Sequence, residues 1–112
     1  MLGNRWKSVP LHLAIAKNIM KEGYIMSNIK RVYLFPVDSH KSFYNKCYVE
    51  EQGDAKALYS YNTCVAYFFP GVGIRRVWDG WSATTQRHIN AFAAYCGINA
   101  SGKAWWNTVE YL

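Results

Sequence analysis

The chain has 112 residues, enough for one domain with a single core; 51% are hydrophobic, 17% aromatic and only 18% charged. That balance excludes a disordered polyelectrolyte, and no apolar run approaches the roughly 20 residues of a membrane span, so a soluble globular protein is expected. The formal charge of +6 points to an anionic partner, provided the basic residues belong to the folded part.

The first segment puts that proviso in question. Lys21-Glu22-Gly23 can be encoded by a purine-rich stretch that reads as a bacterial ribosome-binding sequence, and Met26 follows at a suitable distance. Residues 1–25 are therefore read as a leader translated in frame, with a single domain over residues 26–112. Without Arg5, Lys7, Lys17, Lys21 and Glu22, nine basic and six acidic residues remain and the net charge falls to +3. The competing reading is an N-terminal helix capped by Ser8, with Pro10 in its first turn, Gly23 as its stop, and Leu11, Ile15 and Ile19 on one stripe.

Downstream, Ile29 to Val37 is β-branched and aromatic, and Pro36 ends it or confines it to an edge. After the polar stretch VDSHKS comes FYNKCYVEE, in which Phe43, Asn45, Cys47 and Val49 alternate with Tyr44, Lys46, Tyr48 and Glu50. Period two predicts a half-buried strand. Gly53-Asp54 supplies a hairpin loop. The run ALYSYNTCVAYFF is long for one flat strand, so a bulge or bend is expected at Asn62-Thr63. PGVG then turns the chain into IRRVW.

From Ser82 the period changes. Thr85, Ile89, Phe92, Ala93 and Cys96 share one helical face, Gln86, Arg87, Asn90 and Ala94 face elsewhere, and Gly97 stands where a left-handed C-terminal residue belongs. A short helix over KAWWNTVEYL follows, capped by Ser101, with Trp105 or Trp106 folding back on the core. The expected architecture is α+β: an antiparallel meander of about four strands covered by one C-terminal helix plus a short helical tail.

Chemistry is hardest to read in WDGWSATTQRHINAF, Trp78 to Phe92. As a structural corner, Asp79-Gly80 makes a turn, Ser82 or Thr84 caps the helix, Trp78 and Trp81 anchor it, and His88 packs at the edge of its apolar face. As a reaction centre, Cys64, His88 and Asp79 supply a thiol, a base and a carboxylate, but no nucleophile elbow accompanies them, and a cysteine or histidine hydrolase ranks last. No spacing of the three His and three Cys suits a metal, and no cofactor motif occurs. The dispersed cysteines suit a reducing cytoplasm. An anion could sit at the helix N-terminus with Arg75, Arg76 and Arg87, though GVGIRR is no P-loop.

The blocks KSFYNKCYV, LYSYNTCVAY and WDGWSATTQRHINAF, in this order over Lys41 to Gly97, resemble a small uncharacterised domain of phages and mobile elements in Gram-positive bacteria. Its members tend to carry Gly at the position of Asn45 and Tyr at that of Trp81. The resemblance implies a genetic setting and an accessory role, such as inhibition of a host defence complex; it carries over no catalytic residue. The expected function is a non-enzymatic binding module for a host protein, acting in the host cytoplasm through Arg75, Trp81, Arg87 and Asn90. The alternative is a single-stranded nucleic-acid-binding protein using a sheet face of Tyr44, Lys46, Tyr48, Lys56, Tyr59 and Tyr61.

Overall fold

Alternating apolar residues set the inner face of a five-stranded antiparallel sheet in the computed structural model, which describes residues 29–38 and 42–112. Both readings of residues 1–25, leader and helix, lie outside the described residues. The strands are β1 (Lys30–Tyr33), β2 (Cys47–Gln52), β3 (Ala55–Ser60), β4 (Thr63–Phe69) and β5 (Gly73–Arg76), paired in sequence order. Helix α1 (Ala83–Tyr95) covers one face, and the single turn α2 (Lys103–Trp106) completes the packing.

Cys47 and Val49 of β2, Leu58 of β3, Ala66 of β4 and Ile74 of β5 meet Ile89, Phe92 and Ala93 of α1 and the fully buried Trp106. The other face carries Tyr33, Tyr48, Tyr59 and Arg75, with Ala57 and Tyr67 buried in a second cluster that includes Phe69, Val77 and Leu112. The C-terminus protects the outer edge of β5: Arg76 N–H donates to Glu110 C=O at 2.9 Å, and Leu112 N–H to Arg76 C=O at 3.1 Å.

Two expectations about the strands are corrected. The long run Ala57 to Phe69 is two strands, because Tyr61-Asn62, with φ of 51° and 68°, closes a two-residue hairpin between Ser60 and Thr63. Positive φ at both central residues is the mark of a type I′ turn, whose twist suits a hairpin. The irregularity lies further on: Leu58 pairs with Ala66 but Tyr59 with Cys64, leaving Val65 as the extra residue of a bulge. Its carbonyl turns outward and accepts from the N–H groups of both Val77 and Trp78, at 2.9 and 3.2 Å. Likewise Phe43 to Lys46 is not strand. It is a second turn with Tyr44 and Asn45 at φ of 51° and 63°, closed by Lys46 N–H to Phe43 C=O at 2.9 Å.

The helix signals hold. Ser82 is the N-cap, accepting from Thr85 N–H at 3.0 Å. At the far end Ile98 N–H reaches Ala93 C=O at 2.7 Å and Gly97 N–H reaches Ala94 C=O at 3.0 Å, with Gly97 at φ 76°. That pair of bonds is a Schellman motif, and Ile98 packs on the core as such motifs require. Gln86, expected outside, is buried, and α2 starts from Gly102 at φ 101° with no side-chain cap, not from Ser101. A residue in that conformation favours Gly over Ser.

Candidate functional site

The corner at Trp78 to Ser82 is assembled around a buried cation. Arg76, 3% exposed, donates from Nε to Trp78 C=O at 3.1 Å, from Nη1 to Trp106 C=O at 2.9 Å and from Nη2 to Gly80 C=O at 3.3 Å. Its guanidinium lies 4.2 Å from the Trp106 ring and 4.8 Å from that of Tyr111, and Trp106 Nε1 donates to Gly80 C=O at 3.0 Å. A planar fork with five donors reaches two carbonyls of the turn and one at the end of α2. Gly80 is required by the Trp78 indole, whose ring carbon would stand 2.5 Å from an added Cβ. Trp81, partly exposed, donates to Gln86 Oε1 at 2.8 Å and lies under the Lys103 ammonium. Asp79 and Thr84 are exposed.

His88 is core, 1% exposed. Its Nδ1 shares a 2.7 Å hydrogen bond with the Ser60 hydroxyl, and its ring stands edge-on to Phe43 and tilted against Tyr61. Burial, reinforced by the Arg87 charge, lowers its pKa to about 4, so the imidazole is neutral at pH 7. Ser60 also lines a cleft of about 180 Å³ with Tyr61, Thr63, Val65, Trp78 and Thr85. Serine and histidine alone do not make a triad: among the described residues no carboxylate orients the ring. The Cys64–His88–Asp79 set is not brought together. Cys64 lies on the other sheet face with Tyr59 and Tyr67, its thiol raised to about 11 by burial, which opposes thiolate formation. Among the described residues no three His, Cys, Asp or Glu side chains gather as metal ligands.

The four residues expected to contact a partner do not form one patch. Asn90 accepts from Gln86 Nε2 at 2.9 Å, which joins it to Trp81. Arg87 instead holds Asp38 at 2.8 Å and stacks over Phe43. Arg75 is on the opposite side of the sheet, 3.6 Å from Glu110. Nor do the expected nucleic-acid residues share one face. Tyr48 and Tyr59 stack there at 5.1 Å, with Tyr33 edge-on to Tyr48, but Tyr48 is only 6% exposed. Lys56 stands 5.4 Å from the ring of Phe68, a residue of the helix-side core, while Tyr44 and Tyr61 occupy the turns at one end of the sheet.

That end brings Tyr44, Lys46, Tyr48 and Tyr61 of the expected nucleic-acid set beside Arg31, Tyr33, Asn45 and Asn62, which sequence reasoning left out. The two Tyr-Asn turns are tied by Tyr61 N–H to Lys46 C=O at 2.8 Å, and they hold Tyr44 and Tyr61 out with 77% and 56% exposure. Beside them opens a cleft of about 260 Å³, walled by Arg31, Tyr33, Lys46 and Tyr61, with Asn45, Asn62 and Tyr48 completing it. Tyr48 donates to Asn62 Oδ1 at 3.0 Å. The Arg31 guanidinium stands 4.2 Å from the Tyr48 ring and bonds Glu50 at 3.1 Å; hydrogen bonds to Tyr33 and Glu50 raise its pKa further. The signal was available: the dipeptide Tyr-Asn occurs twice in the chain, at 44–45 and 61–62.

No helix among the described residues is long and apolar enough to cross a membrane. No curated protein and no solved structure matches the chain. Residues 32–108, from β1 to just beyond α2, match a family of unknown function (DUF8033), and the protein belongs to that family.

Proposed function

We propose that the protein is a non-enzymatic binding module that engages a protein partner through the Tyr-Asn end of the sheet. In the setting that the sequence resemblance implies, it is an accessory factor of a phage or mobile element, working on a host protein in the bacterial cytoplasm. One observation carries this reading: four consecutive-pair residues, Tyr44-Asn45 and Tyr61-Asn62, all adopt left-handed backbone, and both tyrosines point outward. Left-handed conformation costs a bulky L-residue on the order of 1–2 kcal/mol. Strain retained where a side chain packs little against the core is a reason to look for contacts made elsewhere. Tyr and Arg are also the residues that dominate protein interfaces.

Charge weighs against the nucleic-acid alternative. Arg75 and Arg87 each face a carboxylate, Arg76 is enclosed by carbonyls and rings, and Lys56 stands apart over Phe68 on the helix side. A strand-tracking groove needs a row of uncommitted cations, which these residues do not supply.

The test is comparative capture from host lysate, using the wild type, a Tyr44→Ser/Tyr61→Ser variant and an Arg87→Ala/Asn90→Ala variant as baits. The expected result is a protein retained by the first and third baits and lost by the second. Retention by the Tyr variant, with loss from the helix variant, would move the surface back to the helix.

A further inference from the structure

We infer that the cleft beside the Tyr-Asn turns is a carboxylate-binding subsite, so that the partner presents an acidic segment there. This rests on the turn end being the working surface, and it names the chemistry of what docks.

The cleft is rich in donors. Arg31 and Lys46 bring the two cations of its wall. Asn62 has its carbonyl oxygen occupied by the Tyr48 hydroxyl, which leaves its N–H₂ group as the end available to a ligand. The Tyr33 and Tyr61 hydroxyls add two further potential donors. Glu50, which is not part of the wall, and Tyr33 hydrogen-bond Arg31, and the Tyr48 ring lies 4.2 Å from its guanidinium. Those contacts hold the fork without using all five of its N–H groups. A preset planar fork beside an ammonium suits a carboxylate, because two parallel N–H···O bonds can form with little further loss of freedom. With Glu50 counted, the local charge is about +1, enough for one carboxylate but not for a run of phosphates. The exposed tyrosine rings beside it would cover the apolar stem of a Glu or its neighbour.

The probe is an N-acetylated hexaglutamate peptide, titrated into the intact, isotope-labelled protein. Hexalysine, hexathymidylate and inorganic phosphate serve as parallel arms. Expected are saturable shifts at Arg31 Nε and the Asn62 side-chain amide, and an affinity about tenfold lower for Arg31→Gln and for Lys46→Glu, at least the effect of one charge-assisted bond. Thermal melts of both variants should stay at the wild-type value, because both side chains lie at the surface. Hexathymidylate or phosphate binding more tightly than hexaglutamate would overturn the carboxylate assignment, as would unchanged hexaglutamate affinity in both variants. If hexaglutamate fails while the Tyr44→Ser/Tyr61→Ser bait still loses its partner, the binding module stands and only this assignment falls.

Discussion

Two neighbouring regions at one end of the sheet, the corner after β5 and the Tyr-Asn turns, treat their polar groups in opposite ways. At the corner after β5 the hydrogen bonds close within the fold: Arg76 and Trp106 Nε1 meet at Gly80 C=O, Ser82 Oγ takes Thr85 N–H, and Gln86 joins Trp81 to Asn90. At the Tyr-Asn end, donors and rings are turned outward over a cleft, and the backbone accepts left-handed conformations to put them there. Richness in polar and aromatic letters therefore does not distinguish a structural joint from a recognition surface. What distinguishes them is whether the hydrogen bonds close within the fold.

If that contrast is right, stability and binding should separate by region. The largest loss of stability belongs to Arg76→Ala, which would remove three hydrogen bonds to carbonyls and leave a void between two rings. A cost of about 3–5 kcal/mol is expected in chemical denaturation, and Arg76→Lys should recover little of it, since an ammonium cannot reproduce the fork. Gly80→Ala comes next, at about 1–3 kcal/mol, through the clash with the Trp78 ring. Ser82→Ala should cost about 1 kcal/mol by removing the cap of α1.

His88 adds a pH test on the structural side. Its folded pKa of about 4 lies below its ordinary 6.5, so the unfolded chain takes up the proton first. Stability should be unaffected by His88 above pH 6.5 and should fall progressively as pH drops from 6.5 towards 4, with a slope of at most about 1.4 kcal/mol per pH unit. In His88→Gln that part of the acid dependence should vanish from melts recorded across the window. A wild-type profile flat between pH 4 and 6.5 would mean that the ring is not buried neutral.

Much of the architecture is legible from pattern alone. Period two locates the strands, the switch to a helical period locates α1, and Ser82 and Gly97 mark its ends because caps are local chemistry. What pattern hides follows from two residue types. Tyr is not a usual left-handed residue, so both Tyr-Asn turns read as strand, and the count came out one strand short. Arg reads as surface, so Arg76 looked interchangeable with Arg75. Parity would have separated them, since Ile74 faces the core and the residue two further along must face the same way. The candidate surface stayed scattered in sequence because it depends on which turns lie side by side. That is settled by the β2–β3 register pairing Cys47 with Ser60, which brings residues 44–46 against 61–62.

The smallest expected change in stability is also the most direct test. Tyr44, at φ 51° and 77% exposed, should be replaceable by Gly with an unchanged or slightly raised melting temperature, because Gly relieves the left-handed strain. The same Tyr44→Gly protein should lose its captured partner. A melting temperature lowered by several degrees, with capture intact, would show that the turn serves the fold and contradict the account.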